Sequence, residues 1–386
     1  MPLRRREFIR RACAAGAGIC LACARPFARP AVAEAAGREA RYYRRLSGGR
    51  VHCYLCPCNP SMQACGVLED GETCWCHVRT NRAGRLYVTN YARLAAIHID
   101  PVEKSPLYHV MPGAKVMAVA APGCSLACIC CQNWEMSQVG VDDLETIEAS
   151  PSEIVDRAVQ TRSTGIAFTY TEPVVYFEYV VDTAAIARKR GLRVLVSTGG
   201  YITTEPLREL CRYVDAFSVS VKGFSEKFYL DNCRGSFKVV LESLRTIREE
   251  GVWLEIPVLI IPGLSDRIQD VSWFCGWVRD NLGTEVPVHF IRFSPAYRLQ
   301  NLSPTPVRVL EAARTAATRA GLRYAYIGNV PGHDANNTNC PSCGRLLIQR
   351  LGFQTIGNAL VPARNAGSPQ HDSCPACGQQ IPGLWR

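Results

Sequence analysis

Residues 123–135 read G-C-S-L-A-C-I-C-C-Q-N-W-E and place Cys124, Cys128 and Cys131 in a C-x3-C-x2-C spacing. A cubane iron–sulfur cluster normally takes four thiolates, so three thiolates from one loop leave one iron open to a substrate. The spacing therefore favours an enzyme over a simple electron carrier. A zinc loop or a set of buried thiols is the alternative interpretation of the same residues.

Short apolar runs alternate with amphipathic stretches on both sides of this loop. Runs rich in β-branched residues predict strands, and stretches with a 3.6-residue period predict helices. The predicted strands are 116–121, 165–170, 193–197, 216–221, 253–261 and 286–292, with 324–327 as a seventh candidate. The predicted helices are 152–162, 174–190, 205–213, 237–250, 270–281 and 306–320. Six or seven strand–helix units favour an α/β fold built as a partial (β/α)6-type TIM barrel, with its chemistry at the carboxyl ends of the strands.

Composition and charge restrict the class of protein. The 386 residues carry a net charge of +10, and residues 1–33 supply +6 of it through seven Arg and one Glu. The remainder shows no stripe of Lys and Arg interleaved with aromatic residues, so no nucleic-acid partner is predicted. No run of 18 apolar residues occurs, so no transmembrane span is predicted.

The first 33 residues resemble an export signal. Residues 4–10 read R-R-R-E-F-I-R, an apolar stretch covers 12–24, and A-V-A at 31–33 offers a small-x-small cleavage site. This order predicts a twin-arginine signal peptide over 1–33 and transfer of the folded chain to the periplasm. A basic tail on a cytoplasmic protein is the alternative.

The 20 cysteines cluster, and two further groups lie outside the central loop. An N-terminal cysteine module, predicted over residues 40–112, contains Cys53, Cys56, Cys58, Cys65, Cys74 and Cys76. Four thiolates among them would hold zinc or an auxiliary iron–sulfur cluster, with disulfides as the alternative.

The tail carries two C-P-x-C-G knuckles, Cys340 with Cys343 and Cys374 with Cys377. Each knuckle turns tightly and points two thiolates inward, so the pair predicts one tetrahedral zinc site in a zinc-ribbon-like C-terminal module over 329–386. Disulfides are again the alternative. Residues 113–328 between the two modules form the predicted core.

Several further motifs accompany the central loop: D-P-V-E-K-S-P-L-Y-H at 100–109, F-T-Y-T-E-P at 168–173, P-V-H-F-I-R-F-S-P at 287–295 and G-L-R-Y-A-Y-I-G-N-V-P-G at 321–332. Together they resemble the AmmeMemoRadiSam-system radical S-adenosylmethionine (SAM) enzymes, relatives of pyruvate formate-lyase activating enzyme, over residues 40–386. The resemblance implies that Cys124, Cys128 and Cys131 hold a [4Fe–4S] cluster whose open iron binds SAM.

The activity implied by this resemblance is reductive cleavage of SAM to a 5′-deoxyadenosyl radical, which abstracts hydrogen as glycyl-radical-enzyme activases do. The implied partners are a low-potential electron donor of the flavodoxin or ferredoxin kind and a protein substrate or AMMECR-type and Memo-type proteins. A non-catalytic iron–sulfur or zinc protein for electron transfer or assembly is the competing hypothesis.

Individual positions take roles from the same resemblance. The implied SAM-contacting residues follow the predicted strands: Thr171, Glu172, Pro173, Thr198, Ser220, Lys222, His289 and Arg292. Ser220 stands where the family has Asp, and Cys130 stands where an aromatic residue is usual and is a potential competing ligand. The resemblance orders the N-terminal ligands as Cys53, Cys56, Cys65 and Cys76, with Cys58 as the rival of Cys65.

Overall fold

The computed structural model describes residues 37–58, 66–362 and 371–386, which belong to one compact unit. The twin-arginine segment and Cys65 lie outside these ranges, so both stay predictions, as do the domain boundaries. Within the described ranges, no helix is long and apolar enough to cross a membrane.

Helices and strands alternate through the middle of the described chain, and strands with short 3-10 turns make up its two ends. The strands are β1 (Arg38–Glu39), β2 (Tyr43–Arg45), β3 (Val51–Cys53), β4 (Val67–Leu68), β5 (Arg79–Arg82), β6 (Arg85–Val88), β7 (Arg93–Leu94), β8 (Ala96–Pro101), β9 (Lys115–Ala120), β10 (Ile147–Glu148), β11 (Gly165–Phe168), β12 (Arg193–Thr198), β13 (Ala216–Val219), β14 (Trp253–Ile260), β15 (Val288–Arg292), β16 (Ala325–Gly328), β17 (Thr338–Asn339), β18 (Leu346–Leu351), β19 (Gln354–Asn358), β20 (Val361–Pro362), β21 (His371–Ser373) and β22 (Gln380–Pro382). The helices are α1 (Trp134–Ser137), α2 (Pro151–Gln160), α3 (Phe177–Lys189), α4 (Thr204–Cys211), α5 (Glu226–Cys233), α6 (Phe237–Glu249), α7 (Ile268–Leu282) and α8 (Val307–Arg319).

An eight-stranded sheet lies at the centre, in the order β16-β15-β14-β13-β12-β11-β9-β8. Neighbouring strands from β9 to β16 pair in parallel, and β8 alone pairs antiparallel, with β9. Every residue of β11 and β13 is buried, as expected for parallel strands covered on both faces. The predicted α/β class with a mostly parallel sheet is therefore confirmed.

Local sequence signals start and stop the helices. At α2, Ser150 and Glu153 form a reciprocal capping box and Pro151 occupies the first turn, where its missing N–H costs nothing. The predicted helix 174–190 is instead a 3-10 turn, Pro173–Tyr176, followed by α3.

Helix α5 has no counterpart in the sequence prediction. It begins at the N-cap Ser225, whose hydroxyl accepts a hydrogen bond from the backbone N–H of Phe228, and it ends at Arg234 in the left-handed region with φ 53°. Helix α4 has the same length and was predicted, whereas the apolar residues of α5 do not follow a 3.6-residue period, so no helical pattern is visible there.

The N-terminal cysteine module contributes strands to three small antiparallel sheets, β1-β6-β5, β2-β3-β4 and β7-β10, and β10 of the last sheet comes from beyond the module, between α1 and α2. A buried ion pair joins it to α3: the Arg79 Nη2 atom donates to both carboxylate oxygens of Glu178, at 2.9 and 2.7 Å. Removing one partner would leave an uncompensated buried charge, so this pair fixes the module against the helix layer.

The C-terminal module contains the sheets β17-β18-β19 and β20-β21-β22. Arg350 of β18 is buried and donates from Nη2 to the backbone oxygen of Tyr108 at 2.7 Å. Its guanidinium also lies 4.3 Å from the centre of the Tyr108 ring. The module is thereby fixed to the segment between β8 and β9.

A directional chain of hydrogen bonds continues from Arg350. The Arg350 Nη1 atom donates to the Thr338 hydroxyl at 2.9 Å, and Thr338 lies 3.0 Å from the Tyr326 hydroxyl. Tyr326 lies 2.7 Å from His109 Nε2, and His109 Nδ1 lies 2.7 Å from the Pro382 backbone oxygen. Because a carbonyl oxygen only accepts, Nδ1 carries the proton and Nε2 accepts from Tyr326. His109 is therefore neutral in this arrangement.

Glu255 anchors the same region to the sheet. Its fully buried carboxylate accepts hydrogen bonds from the backbone N–H groups of Tyr108 and His109, at 2.9 and 2.8 Å. His289 Nε2 lies 2.8 Å from Oε2, the oxygen that also accepts from Tyr108. Burial alone would favour the protonated acid, yet these donors and the His289 ring hold the pKa of Glu255 below its usual value.

We expect His109 to make the folding stability depend on pH. Burial lowers the pKa of His109 to about 4, whereas an unfolded histidine titrates near pH 6.5, roughly. The unfolded chain then binds more protons between these values, so the free energy of unfolding should fall by about 3 kcal/mol as the pH drops from 6.5 to 4. Denaturant-induced unfolding of the wild type and of His109→Asn across this pH range measures this change in the free energy of unfolding.

In His109→Asn that part of the pH dependence should disappear, while His98→Asn, at an exposed position, should leave the profile unchanged. A His109→Asn profile as steep as that of the wild type would contradict a neutral buried imidazole.

Candidate functional site

The loop that carries the three central cysteines, residues 122–133, runs from the end of β9 to α1. Here it is called the cluster loop. Three hydrogen bonds hold its backbone: the N–H of Ala127 donates to the Cys233 oxygen at 2.8 Å, that of Ile129 to the Asn232 oxygen at 2.9 Å, and the Ile129 oxygen accepts from the N–H of Arg298 at 3.1 Å. The end of α5 and the segment after β15 therefore fix the position of the cysteines.

Cys124, Cys128 and Cys131 line one cavity of about 250 Å³. The Cys131 sulfur lies 3.3 Å from the Ser137 hydroxyl, and the Cys124 sulfur accepts from the N–H of Leu126 at 3.4 Å. Cys130 also lines the cavity. The structure thus gathers the three predicted ligands at one place, together with a fourth thiol that the sequence prediction flagged as a competitor.

The surroundings raise the pKa of three of these thiols and lower the pKa of the fourth. Burial raises the pKa of Cys124 and Cys131, and it raises that of Cys130 to about 12. A hydrogen bond from the Cys233 thiol lowers the pKa of Cys128. Buried thiols with raised pKa values stay protonated in neutral water, so a bound cation is what would convert them to thiolates.

The ends of the parallel strands supply the other walls of the cavity. Because parallel strands present their carboxyl ends at one edge, residues far apart in sequence meet there. The predicted residues that line the cavity are Thr171, Glu172, Ser220, Lys222 and Arg292.

Glu172 is the central carboxylate of this wall. Its Oε1 atom accepts from the Thr198 hydroxyl at 2.5 Å, and its Oε2 atom accepts from the N–H of Gly199 at 2.8 Å. Burial raises the pKa of this carboxyl. A methyl group at Gly199 would lie 3.2 Å from Glu172 Oε2 and 2.9 Å from Leu126 Cδ1, which explains why a residue without Cβ occupies this position.

Lys222 places a positive charge beside the sulfurs. Although burial disfavours the ammonium, the neighbouring Cys128, Cys130 and other thiols raise the pKa of Lys222 above its usual value. A lysine in this position stays charged and is suited to an anionic group held at the cysteines.

Three predicted contacts take other places. His289 is buried against Glu255 and outside the cavity lining, because it occupies the second position of β15 rather than its end. Thr198 points its hydroxyl at Glu172, and Pro173 is buried at the first position of a 3-10 turn. Thr198 and Pro173 therefore support Glu172 rather than line the cavity.

The structure adds residues that lie inside the quoted motifs but received no role from the sequence. Gln132, Asn133, Tyr170 and Asn329 line the cavity. The amide of Asn133 donates to the Tyr170 backbone oxygen at 2.8 Å, and Tyr170 has φ 66°. A non-glycine residue in the left-handed region is a structural signal for a constrained site, and no sequence pattern reveals it.

The four C-terminal cysteines form the tightest sulfur cluster. The ligand atoms of Cys340, Cys343, Cys374 and Cys377 all lie within 4.8 Å of one another, and among the described residues this is the one such group. Two sulfur–sulfur distances are 3.6 and 3.7 Å. A tetrahedral ion with metal–sulfur bonds of about 2.3 Å has sulfur–sulfur edges of about 3.8 Å, so the spacing matches a single ion.

The N-terminal cysteines are arranged differently from the predicted ligand set. Cys53, Cys74 and Cys76 are buried, and the Cys74 thiol is hydrogen-bonded to that of Cys76. Cys74 was absent from the predicted set, because the resemblance ordered the ligands without it. Cys56 is half-buried, and Cys65 lies outside the described residues.

Comparison with known proteins finds a match that includes the cluster loop. A family model described as the radical SAM superfamily matches residues 119–272. The chain is 41% identical over 345 residues to the uncharacterized protein MJ0808 of Methanocaldococcus jannaschii, which covers 89% of this chain and 98% of that protein.

More distant similarities also exist. The chain is 20% identical over 218 residues to pyruvate formate-lyase 1-activating enzyme of Escherichia coli K12, which covers 53% of this chain and 89% of that enzyme. The crystal structure of a radical SAM methyltransferase from Sphaerobacter thermophilus aligns with a TM-score of 0.46 and 17% identity, over 61% of this chain and 71% of that chain.

Proposed function

We propose, from the premise that this chain belongs to the radical SAM superfamily, that it reductively cleaves SAM and that the resulting radical abstracts a hydrogen atom from a substrate. One observation carries the proposal. The three thiols of the C-x3-C-x2-C loop share a cavity with a buried carboxylate, Glu172, and a half-buried lysine, Lys222. An electron carrier needs neither group, so the non-catalytic alternative is not favoured.

The donor set fits a [4Fe–4S] cluster. Cys124, Cys128 and Cys131 come from one short loop and face one cavity, yet they do not converge within 4.8 Å as the C-terminal four do among the described residues. A multi-iron cluster holds its thiolates farther apart than a single ion does, so this wider arrangement suits it. When bound, the cluster supplies the electron that cleaves the sulfonium of SAM to methionine and the 5′-deoxyadenosyl radical.

Charged residues around the cavity suit the ammonium and the carboxylate of the amino-acid part of SAM. Glu172 offers a carboxylate whose orientation is fixed by Thr198 and Gly199, and such an acceptor suits an ammonium. Lys222 and Arg292 offer positive charge for a carboxylate. The Arg292 Nε atom donates to the Thr305 backbone oxygen at 2.9 Å, which fixes the guanidinium in place.

Apolar side chains complete the walls of the cavity. Leu126, Val221, Leu259, Ile291 and Phe293 line it between the polar groups. Such walls exclude water, which strengthens the charge interactions and protects a reactive radical from side reactions.

The class of reaction we propose is that of a glycyl-radical-enzyme activase, within the AmmeMemoRadiSam-system radical SAM enzymes. The similarity to pyruvate formate-lyase 1-activating enzyme supports it. The proposed partners are a flavodoxin- or ferredoxin-like donor and a protein substrate or AMMECR-type and Memo-type proteins.

We also propose that residues 1–33 direct export of the folded protein by the twin-arginine route. The support is the R-R-R-E-F-I-R sequence at 4–10 with the apolar stretch that follows it. Export after folding would allow the metal groups to be inserted in the cytoplasm.

We propose in addition that Cys340, Cys343, Cys374 and Cys377 bind one zinc ion. The sulfur–sulfur distances of 3.6 and 3.7 Å support this ion over a larger cluster. Its role is structural, because four cysteines fill a tetrahedral shell and leave no open position.

Reductive cleavage is tested directly with the anaerobically reconstituted protein, SAM and dithionite. We expect 5′-deoxyadenosine from the wild type and at least a hundredfold less from Cys128→Ala, because three thiolates are needed to hold the cluster.

The iron content should fall in Cys128→Ala and in Cys131→Ala but not in Cys130→Ala. Cys275→Ala, at a buried position outside the cavity, is the matched control. An intact cluster that yields no 5′-deoxyadenosine would refute the function, and iron lost from Cys130→Ala but kept in Cys131→Ala would reassign the third ligand.

Glu172→Gln should weaken SAM binding roughly 10- to 100-fold, since a charge-assisted hydrogen bond contributes about 1.5–3 kcal/mol. The iron content should stay that of the wild type, because Glu172 is not a cluster ligand. Equilibrium binding of SAM to the reconstituted proteins measures the change. Glu145→Gln, at an exposed position, serves as the control. Equal affinities for the wild type and Glu172→Gln would remove Glu172 from the binding site.

Cys343→Ser and Cys377→Ser should each lower the zinc content of the purified protein by about one ion per chain, since each removes one of four ligands. Elemental analysis after gel filtration measures it, and Cys211→Ser, remote from the knuckles in sequence, is the control. Zinc retained in full by the double variant would place the ion elsewhere.

A further inference from the structure

Three buried thiols of the N-terminal cysteine module come from two separate backbone segments. Cys53 ends β3, and its N–H donates to the Gly66 oxygen at 2.8 Å. Cys74 and Cys76 flank a tight turn, in which the N–H of Cys74 donates to the Arg79 oxygen at 2.7 Å and the N–H of His77 to the Cys74 oxygen at 2.8 Å. The Cys53 thiol is close enough to Cys74 for an electrostatic interaction. No disulfide joins the three.

Arg79 brings an unpartnered donor to these thiols. Its guanidinium is 1% exposed, and its Nη atoms are used by Glu178 and by the Arg41 backbone oxygen. Its Nε atom has no hydrogen-bond partner. Besides Glu178, the thiols of Cys53, Cys74 and Cys76 interact electrostatically with this guanidinium.

A buried donor without a partner destabilises the fold, because its hydrogen bond to water is lost and not replaced. A metal-bound thiolate or an inorganic sulfide beside Arg79 would accept this N–H and would also place negative charge near the guanidinium. A protonated thiol is a weak hydrogen-bond acceptor and carries no negative charge, so it provides neither interaction. The orphaned Nε atom therefore points to a metal–sulfur group at Cys53, Cys74 and Cys76.

The same thiols lie against the cluster loop. A Cβ atom at Gly123 would lie 2.5 Å from the Cys76 backbone oxygen and 2.9 Å from a Val78 methyl group, and Gly123 has φ 98°. Only glycine permits this approach. Gly123 directly precedes Cys124, so the two cysteine segments touch backbone to backbone. The buried Asn90 side chain also donates to the Pro122 oxygen at 2.7 Å.

The three N-terminal thiols are unevenly spaced. The Cys74 and Cys76 thiols are hydrogen-bonded to each other, whereas Cys53 lies more than 4.8 Å from at least one of them, because among the described residues only the C-terminal four converge within that distance. A multi-iron cluster holds some of its thiolates farther apart than a single ion does, so the position of Cys53 favours a cluster.

We infer that Cys53, Cys74 and Cys76, with a fourth thiolate from Cys56 or Cys58, hold an auxiliary iron–sulfur cluster that passes electrons to the cluster at Cys124, Cys128 and Cys131. The inference rests on the proposed function for the second cluster. A reduced flavodoxin- or ferredoxin-like protein loses one electron to the auxiliary cluster, which is reduced. The auxiliary cluster then loses that electron to the neighbouring cluster and returns to its oxidised state.

A triple variant that removes the cluster-loop ligands, Cys124→Ala with Cys128→Ala and Cys131→Ala, isolates the proposed auxiliary cluster. We expect the anaerobically reconstituted wild type to hold about eight iron and eight sulfide per chain and the triple variant about four of each. The reduced triple variant should give an electron paramagnetic resonance signal that SAM does not alter. A triple variant that holds zinc without sulfide, or no metal beyond the C-terminal site, overturns the inference.

The test of the auxiliary cluster in the triple variant is independent of the proposed SAM cleavage. A wild type with two clusters that never cleaves SAM would refute the function and leave the auxiliary cluster standing. A wild type with only one cluster, which responds to SAM, would leave the proposed function standing and refute the auxiliary cluster. Cys275→Ser should leave the iron content unchanged.

The relay is tested with Cys74→Ser, chosen because its neighbour Cys76 contacts Gly123. We expect the ratio of flavodoxin-driven to dithionite-driven SAM cleavage to fall at least tenfold, because dithionite is small and can reduce the second cluster directly. Arg79→Lys, which keeps the charge and loses the Nε donor, should shift the potential of the auxiliary signal. An unchanged ratio in Cys74→Ser would show that electrons do not pass through this cluster.

Discussion

One buried chain of hydrogen bonds holds the C-terminal module to the central sheet. It runs from Arg350 through Thr338, Tyr326 and His109 to the Pro382 oxygen. Because Arg350 can only donate and the Pro382 carbonyl can only accept, each group in between donates its hydrogen bond towards Pro382. The chain joins the segment before β9, the last strand of the sheet and both sheets of the C-terminal module. Because every member is buried, the loss of one leaves its neighbours unsatisfied. The edges of the sheet, and hence the cavity at its carboxyl end, depend on this arrangement.

The three cysteine groups differ in spacing, and spacing decides what each can hold. The C-terminal thiols converge to single-ion distances. The cluster loop spreads its thiols around a cavity. The N-terminal thiols surround a buried guanidinium and touch the cluster loop through Gly123. The sequence contains three sets of cysteines, and the fold gives them three different environments.

Most of the central sheet could be predicted, because its strands are short apolar runs separated by helices with clear ends. Helix α5 was missed because its eight residues carry little periodicity, and β8 was missed because an antiparallel edge strand lacks the fully apolar pattern of its neighbours. His289 was expected in the site as part of a late strand. Its position within β15, not its membership of the strand, placed it against Glu255 instead.

The sequence by itself determined the class of fold, the cluster-loop cysteines and the pairing of the two knuckles, because each depends on local spacing or periodicity. Tertiary structure alone decided which strand-end residues face the cavity, since Glu172, Lys222 and Arg292 meet only when the parallel strands align. It also decided the place of Cys74 and Arg79. Cys74 was outside the predicted ligand set and Arg79 had no predicted role, and the orphaned Nε atom exists only because folding buries that side chain among thiols.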